Sequence, residues 1–362
     1  MKAEAAVRPA AGGGGRPAFI RSLLAANLAA QGFYSIAFLP RQALMEALEA
    51  EALPEAVRRR YGIEAVGSLA VVAFRYGNGE YPPPAWAVRS GGDKATSLRI
   101  ARFARANWYQ EISRRMASAV AEAIAQAADR GIELPPLKRW HRLVNSGLPE
   151  KALALKSGLG WAGKNTIVIA AKNAETAILP EAKEKGTEPA FSSAVLLGLL
   201  LCPEDTGSEI VEPAVNRCGE CRRCVDACPT GALGRRSSDA EIQPGRASDF
   251  DRPRCIQHWT SIDGEPPAIV RSAMRGILYG CDSCLEACPF FIPDPEAFSG
   301  IGRLGPALPA SCFLEAADTE LRRDLAGSVI DRAWMSMEAF RRNARLAIEP
   351  MIGGETGGKA GG

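Results

Sequence analysis

At 362 residues the chain is long enough for two domains with cores of their own. A hydrophobic share of 47% and a charged share of 23% are those of an ordinary globular protein and argue against a disordered one. The net charge of +3 gives no global commitment to nucleic acid, and the longest strongly apolar run, residues 194–201, is far too short to cross a bilayer.

Residues 1–17, rich in Ala, Gly and Pro, read as a disordered tail with no apolar signal segment, and residues 351–362 read the same way. An N-terminal domain is expected over 18–205. The pattern RSLLAANLAAQGF predicts a helix, YSIAFLP a short strand, and residues 41–60 a second helix. SLAVVAF, from Ser68 to Phe74, is apolar and β-branched and predicts a buried strand. It ends in Tyr76, Gly77, Asn78 and Gly79, then three prolines, which make a loop. Residues 96–130 form the longest predicted helix, with Leu98, Phe103, Ile112, Met116, Val120 and Ile124 on its packed face. A loop over 137–147 carries His141 and Asn145, and a short helix over 149–157 leads into GLGWAGKNT, residues 158–166.

That glycine stretch satisfies G-x-G-x-x-G through Gly158, Gly160 and Gly163, and most of the P-loop pattern, except that Asn165 stands where the magnesium-binding Ser or Thr belongs. Both phosphate motifs need strand, loop, helix, whereas here a helix precedes and the strand TIVIAA follows, so nucleotide binding is rejected. Two readings remain: a turn that lets backbone approach a large flat or anionic ligand, or a plain helix-to-strand turn. After a polar insertion at 179–188, SSAVLLGLLL predicts the strand that closes the domain. Arginines gather at 58–60, at Arg99, Arg102 and Arg105, at Arg222 and Arg223, and at Arg235 and Arg236. Each group suits an RNA backbone or a solvated surface equally well.

All ten cysteines fall between Cys202 and Cys312, and seven form two runs: Cys218, Cys221, Cys224 and Cys228 before Pro229, and Cys281, Cys284 and Cys288 before Pro289. Three thiolates spaced C-x2-C-x2-C wrap one iron–sulfur cubane, while the cysteine before proline reaches a second. A structural zinc site takes paired C-x2-C knuckles and has no use for the third thiolate. Cys255, alone between the runs, completes the second set. The expected ligands are therefore Cys218, Cys221, Cys224 and Cys288 for one [4Fe–4S] cluster, and Cys228, Cys255, Cys281 and Cys284 for the other. Cys202 and Cys312 are left as buried structural thiols. Such thiolates need a reducing compartment, which places the protein in the cytoplasm. The expected fold class is α+β: the N-terminal mixed α/β domain, a ferredoxin-like double-cluster domain over 206–300, and a helical segment over 301–350 with one or two helices from Leu321 to Ile348.

The motifs GLGWAGKNT, CGECRRCVDACPTGAL, RCIQHWTSIDG, YGCDSCLEACPFF and RRNARLAI, in that order, resemble the epoxyqueuosine reductase family over roughly residues 60–350. The resemblance implies a cobalamin-dependent oxidoreductase that removes the epoxide oxygen of epoxyqueuosine in tRNA. It further implies an external electron donor feeding two [4Fe–4S] clusters, which in turn feed a corrinoid held by the N-terminal domain. It carries over all eight cysteines individually. It also places Gly158, Gly160, Trp161, Gly163, Lys164 and Asn165 beside the corrinoid. Three departures stand out. Where the family has Val-Asp-Ser or Val-Asp-Thr with a proton-donating aspartate, this chain has Val144-Asn145-Ser146, and an amide does not titrate usefully near neutral pH. That leaves Glu150, His141 or a water as the acid. The family's Asp-Tyr-His is Trp108-Tyr109-Gln110 here, and its helical-repeat extension is lacking. Two alternatives therefore stay open: a paralogous corrinoid or iron–sulfur reductase with another substrate, and an electron-transfer protein with no substrate chemistry.

Overall fold

In the computed structural model, residues 15–89, 96–172, 190–208, 210–234, 250–331 and 335–352 are described. Helix α1 (Arg16–Ala30) takes in Arg16 and Pro17, so order begins before the expected end of the tail; Pro17 sits in the first turn, where its missing N–H has no partner to lose. β1 (Ser35–Pro40) leads into α2 (Arg41–Ala50) and α3 (Glu55–Arg60). The single helix expected over 41–60 breaks between them, because Ala52 takes a left-handed φ of 47° and Pro54 cannot donate a helical hydrogen bond. β2 (Ser68–Arg75) matches the predicted strand, and after α4 (Ala85–Arg89) the predicted long helix also divides. Ser97–Ile100 is instead strand β3, and the helix α5 starts only at Trp108 and runs to Ala128. Its start is fixed by the Asn107 side chain, which accepts the Gln110 N–H at 3.1 Å and so satisfies one of the orphan donors.

β4 (His141–Leu143), α6 (Glu150–Lys156), β5 (Gly160–Ala162), β6 (Val168–Ala171), β7 (Phe191–Ser192) and β8 (Val195–Cys202) complete the first half. The main sheet is antiparallel in the order β1-β2-β8-β4. All eight residues of β2 are buried, which is why its sequence shows no polar alternation. Val72, Phe74 and Leu200 face α1 and α5, while Leu69, Val71, Leu199 and Leu201 face α2 and α6. Each such side chain contributes about 1.5–3 kcal/mol by leaving water, so this two-sided sheet is the stable frame of the chain.

The second half holds α7 (Arg223–Asp226), α8 (Ile256–Thr260), α9 (Ala268–Ala273), β9 (Ile277–Tyr279), α10 (Ser283–Glu286), β10 (Ala307–Pro309), α11 (Ser311–Leu314), α12 (Asp318–Leu325) and α13 (Met337–Ile352). A small sheet in the order β10-β3-β9 joins one strand from the first third of the chain to two from the last. Cys202 and Cys312 are buried in separate cores, as expected of structural thiols, and burial pushes the Cys202 thiol up to about 12. The polar insertion at 179–188 and the pair Arg235 and Arg236 lie outside the described residues.

Candidate redox centre and adjoining cleft

The two cysteine runs fold alike. α7 follows Cys221 and α10 follows Cys281, each a single turn; Cys228 N–H then bonds Val225 O at 3.2 Å and Cys288 N–H bonds Leu285 O at 2.9 Å. α7 and α10 pack on one another, so each C-terminal cysteine is carried toward the other run. Cys218, Cys221, Cys224 and Cys288 consequently line one cavity of about 180 Å³, the four that spacing groups together. Burial first, and then Cys288 and Cys218, push the Cys224 thiol up; burial, Cys218 and Cys221 do the same to Cys288.

The other four form a second electrostatic group. Burial raises the Cys255 thiol, and Cys281 and Cys228 raise it further. Cys284 is raised by burial and then by Cys281, Cys255 and Cys228. Burial works the same way on Cys228, but the Thr230 hydroxyl and the amides of Leu233, Thr230 and Ala232 oppose it, and the net shift is downward. The Ala232 N–H lies 3.2 Å from that sulfur. Such donors favour the thiolate, the form that binds metal.

Among the described residues no three His, Cys, Asp or Glu side chains could hold one metal ion. Around a zinc ion with bonds of about 2.3 Å the sulfurs would stand about 3.8 Å apart. The first four thiols instead line, with the tip of the glycine stretch, a space of about 180 Å³. Donor chemistry and spacing together fit a multinuclear cluster.

The glycine stretch is the wall of this cavity. It forms a hairpin of β5 and β6, so the reading of a plain helix-to-strand turn does not hold, and Trp161 is paired to Ile169. A Cβ on Gly160 would come within 2.0 Å of Ile169 O, which explains that glycine. Lys164 Nζ donates to Gly219 O at 2.6 Å and Cys221 O at 3.0 Å, fastening the hairpin to the first cysteine run. Gly163, Lys164 and Asn165 line the thiol cavity, Gly158 packs on Val211, and Trp161 stacks edge-on against Phe191 and Phe290. The structure thus sets these residues against the first cysteine run, and none of them lines the second, larger cleft.

That cleft, about 500 Å³, is lined by Phe103, Tyr109, Tyr279, Gln257, Ser261 and the turn Asn145-Ser146-Gly147. It adjoins the second thiol group through the chain itself, since Gln257 follows Cys255 by two residues and Tyr279 precedes Cys281 by two. Asn145 sits at the tip of its turn with φ 51°, and Ser146 donates both its N–H (2.7 Å) and its hydroxyl (2.8 Å) to Glu150 Oε1. Burial raises the Glu150 carboxyl, and the Ser146 and Asn145 bonds only partly offset it. His141 does not reach the cleft: it lies on β4, opposite Leu201, with its imidazole against Gly62. Nor do Arg102 and Arg105 form a basic face. Arg105 is buried and bonds Ile100 O, Asn78 O and Glu80, while Arg102 pairs with Glu286 at 2.6 Å. Sequence reading met Tyr109, Gln257, Ser261 and Tyr279 only as members of motifs and gave none of them a place at the site; they come together only through the fold.

A family model described as a 4Fe-4S double cluster binding domain matches residues 217–290. Curated relatives are named epoxyqueuosine reductase. One from Listeria monocytogenes is 30% identical over 262 residues, 68% of this chain and 56% of its own length. One from Bacillus anthracis is 27% identical over 263 residues with the same coverages, and one from Gloeobacter violaceus is 29% identical over 69% of both chains. The chain thus spans little more than half the length of most of the curated relatives it matches. A selenomethionine-labelled epoxyqueuosine reductase shares the fold with a TM-score of 0.60 at 21% identity, covering 91% of this chain and 81% of that one. Another, solved with an epoxyqueuosine-modified tRNA-Tyr stem loop, matches with a TM-score of 0.58 at 21% identity over 91% and 80%. No described helix is long and apolar enough to cross a membrane.

Proposed function

The chain is a relative of the epoxyqueuosine reductases, and from that kinship we propose that it is a cytoplasmic double-cluster reductase acting on epoxyqueuosine in tRNA. The observation that carries the reading is the gathering of eight cysteines into two fours, the second beside a cleft of about 500 Å³. Cys218, Cys221, Cys224 and Cys288 hold one [4Fe–4S] cluster, and Cys228, Cys255, Cys281 and Cys284 hold the other. When bound, the clusters supply one-electron steps at potentials set by their hydrogen bonds and exposure.

The cleft also suits a cobalamin, which would supply a strongly reducing metal centre. Phe103 and Tyr279, in tilted contact with centroids 6.1 Å apart, make one aromatic wall that suits one face of a flat macrocycle, and Gln257, Ser261 and Asn145 suit amide substituents. Converting the epoxide to the alkene consumes two electrons and two protons and releases the oxygen as water. Asn145 hydrogen-bonds the departing oxygen but has no proton to give. Ser146 lines the cleft and its hydroxyl donates to Glu150 Oε1; turned to the departing oxygen it hands over its proton and accepts one from the acid form of Glu150, which solvent reloads for the second proton. A carboxyl raised by burial is the right reservoir, since its acid form persists to higher pH than an ordinary carboxyl's.

A second reading is favoured by Asn145 itself: a paralogous reductase that keeps the scaffold and takes a substrate whose leaving group needs no strong acid. Anaerobic turnover of epoxyqueuosine-containing tRNA with cluster-loaded protein, cobalamin and a strong reductant separates the two, read by mass spectrometry of the nucleosides. Queuosine supports the first reading. No queuosine, with a known reductase active alongside, moves the assignment to the second.

A further inference from the structure

The second group of thiols finds hydroxyl partners within its own runs. Thr230 Oγ1 lies 3.7 Å from the Cys228 sulfur, and Cys281 Sγ lies 3.4 Å from Ser283 Oγ. The first group has none of its own, since no serine or threonine stands within two residues of Cys218, Cys221, Cys224 or Cys288. A hydroxyl reaches it from the other half of the chain. Ser193 lies between β7 and β8 and is 1% exposed. Its N–H donates to Phe290 O at 2.8 Å, and the neighbouring Ser192 hydroxyl donates to Ile292 O at 2.9 Å, so this junction is laid along the chain just past Cys288 and Pro289. The Ser192 side chain is fully used, because it also accepts the Ala194 N–H at 3.1 Å. The Ser193 hydroxyl is buried and makes no hydrogen bond of good geometry among the described residues. It nevertheless lies against Cys288: burial raises that thiol, and the Phe290 N–H and the Ser193 hydroxyl oppose the rise.

A buried hydroxyl without an acceptor is costly, and an acceptor that arrives with a bound group removes the cost. We infer that the Ser193 hydroxyl donates a hydrogen bond to the cluster held by Cys218, Cys221, Cys224 and Cys288, at the Cys288 sulfur or a sulfide beside it, and so raises the potential at which that cluster is reduced. The inference rests on the two-cluster reading and gives that reading a residue outside the cysteine runs. Reduction adds one electron to the cluster, with no bond made and no proton moved, and the added charge spreads onto its sulfurs. A donor therefore binds the reduced form more tightly than the oxidised one, and burial strengthens the effect. Ser193 keeps its proton throughout; its part is to favour electron arrival.

The test is an anaerobic potentiometric titration of the cluster-loaded full chain, followed by electron paramagnetic resonance. Cys228→Ala removes a ligand of the second cluster, so the signal that persists in that variant identifies the first. Ser193→Ala should load as much iron as the parent and lower the first cluster's one-electron reduction equilibrium by about tenfold, which is about 59 mV. The second cluster should stay at its parental potential. Ser192→Ala breaks a bond at the same junction without removing a donor to sulfur, and should leave both potentials in place. Should Ser193→Ala fail to load, Ser193→Gly, which removes the same hydroxyl, decides the matter. An unmoved first potential in the Ser193 variant, or an equal shift in Ser192→Ala, overturns the inference. The two readings fail separately: a parent chain that binds no pair of clusters rejects the two-cluster reading, whereas a fully loaded chain with an unmoved potential rejects only the hydrogen bond.

Discussion

Asn145 occupies a left-handed backbone conformation that asparagine and aspartate tolerate alike, so Asn145→Asp changes the chemistry of the cleft without rebuilding the turn. Turnover of epoxyqueuosine tRNA should rise by at least about tenfold, because a positioned acid replaces a two-step relay; equal turnover would mean proton supply is not limiting. Glu150 carries the complementary expectation. Its carboxyl is raised by burial, so the folded protein binds that proton more tightly than the unfolded chain. The proton-donating form, and the stability it confers, are both present at low pH and lost as pH rises through the raised value. Wild-type rate should therefore fall on the alkaline side of that value. Glu150→Gln should remove that limb and cost about a hundredfold in rate, read from a pH–rate profile. Among the cysteines, Cys228→Ala removes a thiol from the second group and leaves the cavity of Cys218, Cys221, Cys224 and Cys288 complete. Iron content should drop to about half, with one paramagnetic cluster remaining after reduction. Spacing shows which sulfurs share a turn within each run, whereas the meeting of Cys288 with Cys218, Cys221 and Cys224 in one cavity is made by the packing of α7 on α10. His141 was not legible in the sequence, since nothing local distinguishes an edge-strand histidine against Gly62 from one in a cleft.

Among the elements, the long strands were legible and the short ones were not. SLAVVAF could be read because both its faces are buried, whereas β3, β9 and β10 have three or four residues each, too few to show a period. Leu98 and Phe103 therefore passed for the packed face of a helix that in fact begins at Trp108, where Asn107 caps it. The β5–β6 hairpin was hidden for a related reason: its turn, Gly163 to Thr166, uses a left-handed Thr166 with φ 65° in place of the usual glycine signal. The motif RRNARLAI acquires a physical meaning only in the fold. Asn343, fully buried on α13, donates to Thr260 O at 3.1 Å and Leu278 O at 3.0 Å, tying the end of α8 to β9. These elements carry Gln257, Ser261 or Tyr279 into the cleft or flank it. Asn343→Ala strands two carbonyls and should cost about 2–4 kcal/mol, measured by chemical denaturation. It should also weaken ligand binding in the cleft, because Gln257 and Tyr279 lose their common anchor.

Over the whole molecule, the sheet β10-β3-β9 decides how the parts communicate. β3 comes from the N-terminal half, β9 from just before Cys281, and β10 from beyond the second cysteine run. Leu98, Leu278, Leu308, Phe313 and Phe340 share one core across these segments, so the expected boundaries at 205 and 300 do not separate independent hydrophobic cores. The thiol cavity is likewise built by both halves, from Gly163, Lys164 and Asn165 on one side and the cysteines on the other. A chain joined in this way should lose its cleft, its clusters and its N-terminal sheet together. Denaturant unfolding of the cluster-loaded protein, followed by tryptophan fluorescence and by cluster absorbance, should give coincident curves. Trp108 reports the N-terminal core and Trp259 the α8 region, so the fluorescence itself samples both halves. Phe340→Ala, which opens the shared core, should cost about 3–5 kcal/mol and shift both curves equally. If the absorbance curve alone moved, the cysteine region would be a separately folding unit and electrons could not be delivered across a fixed path. Coincident movement ties the integrity of the cleft to that of the clusters, as two-electron delivery to one bound substrate requires.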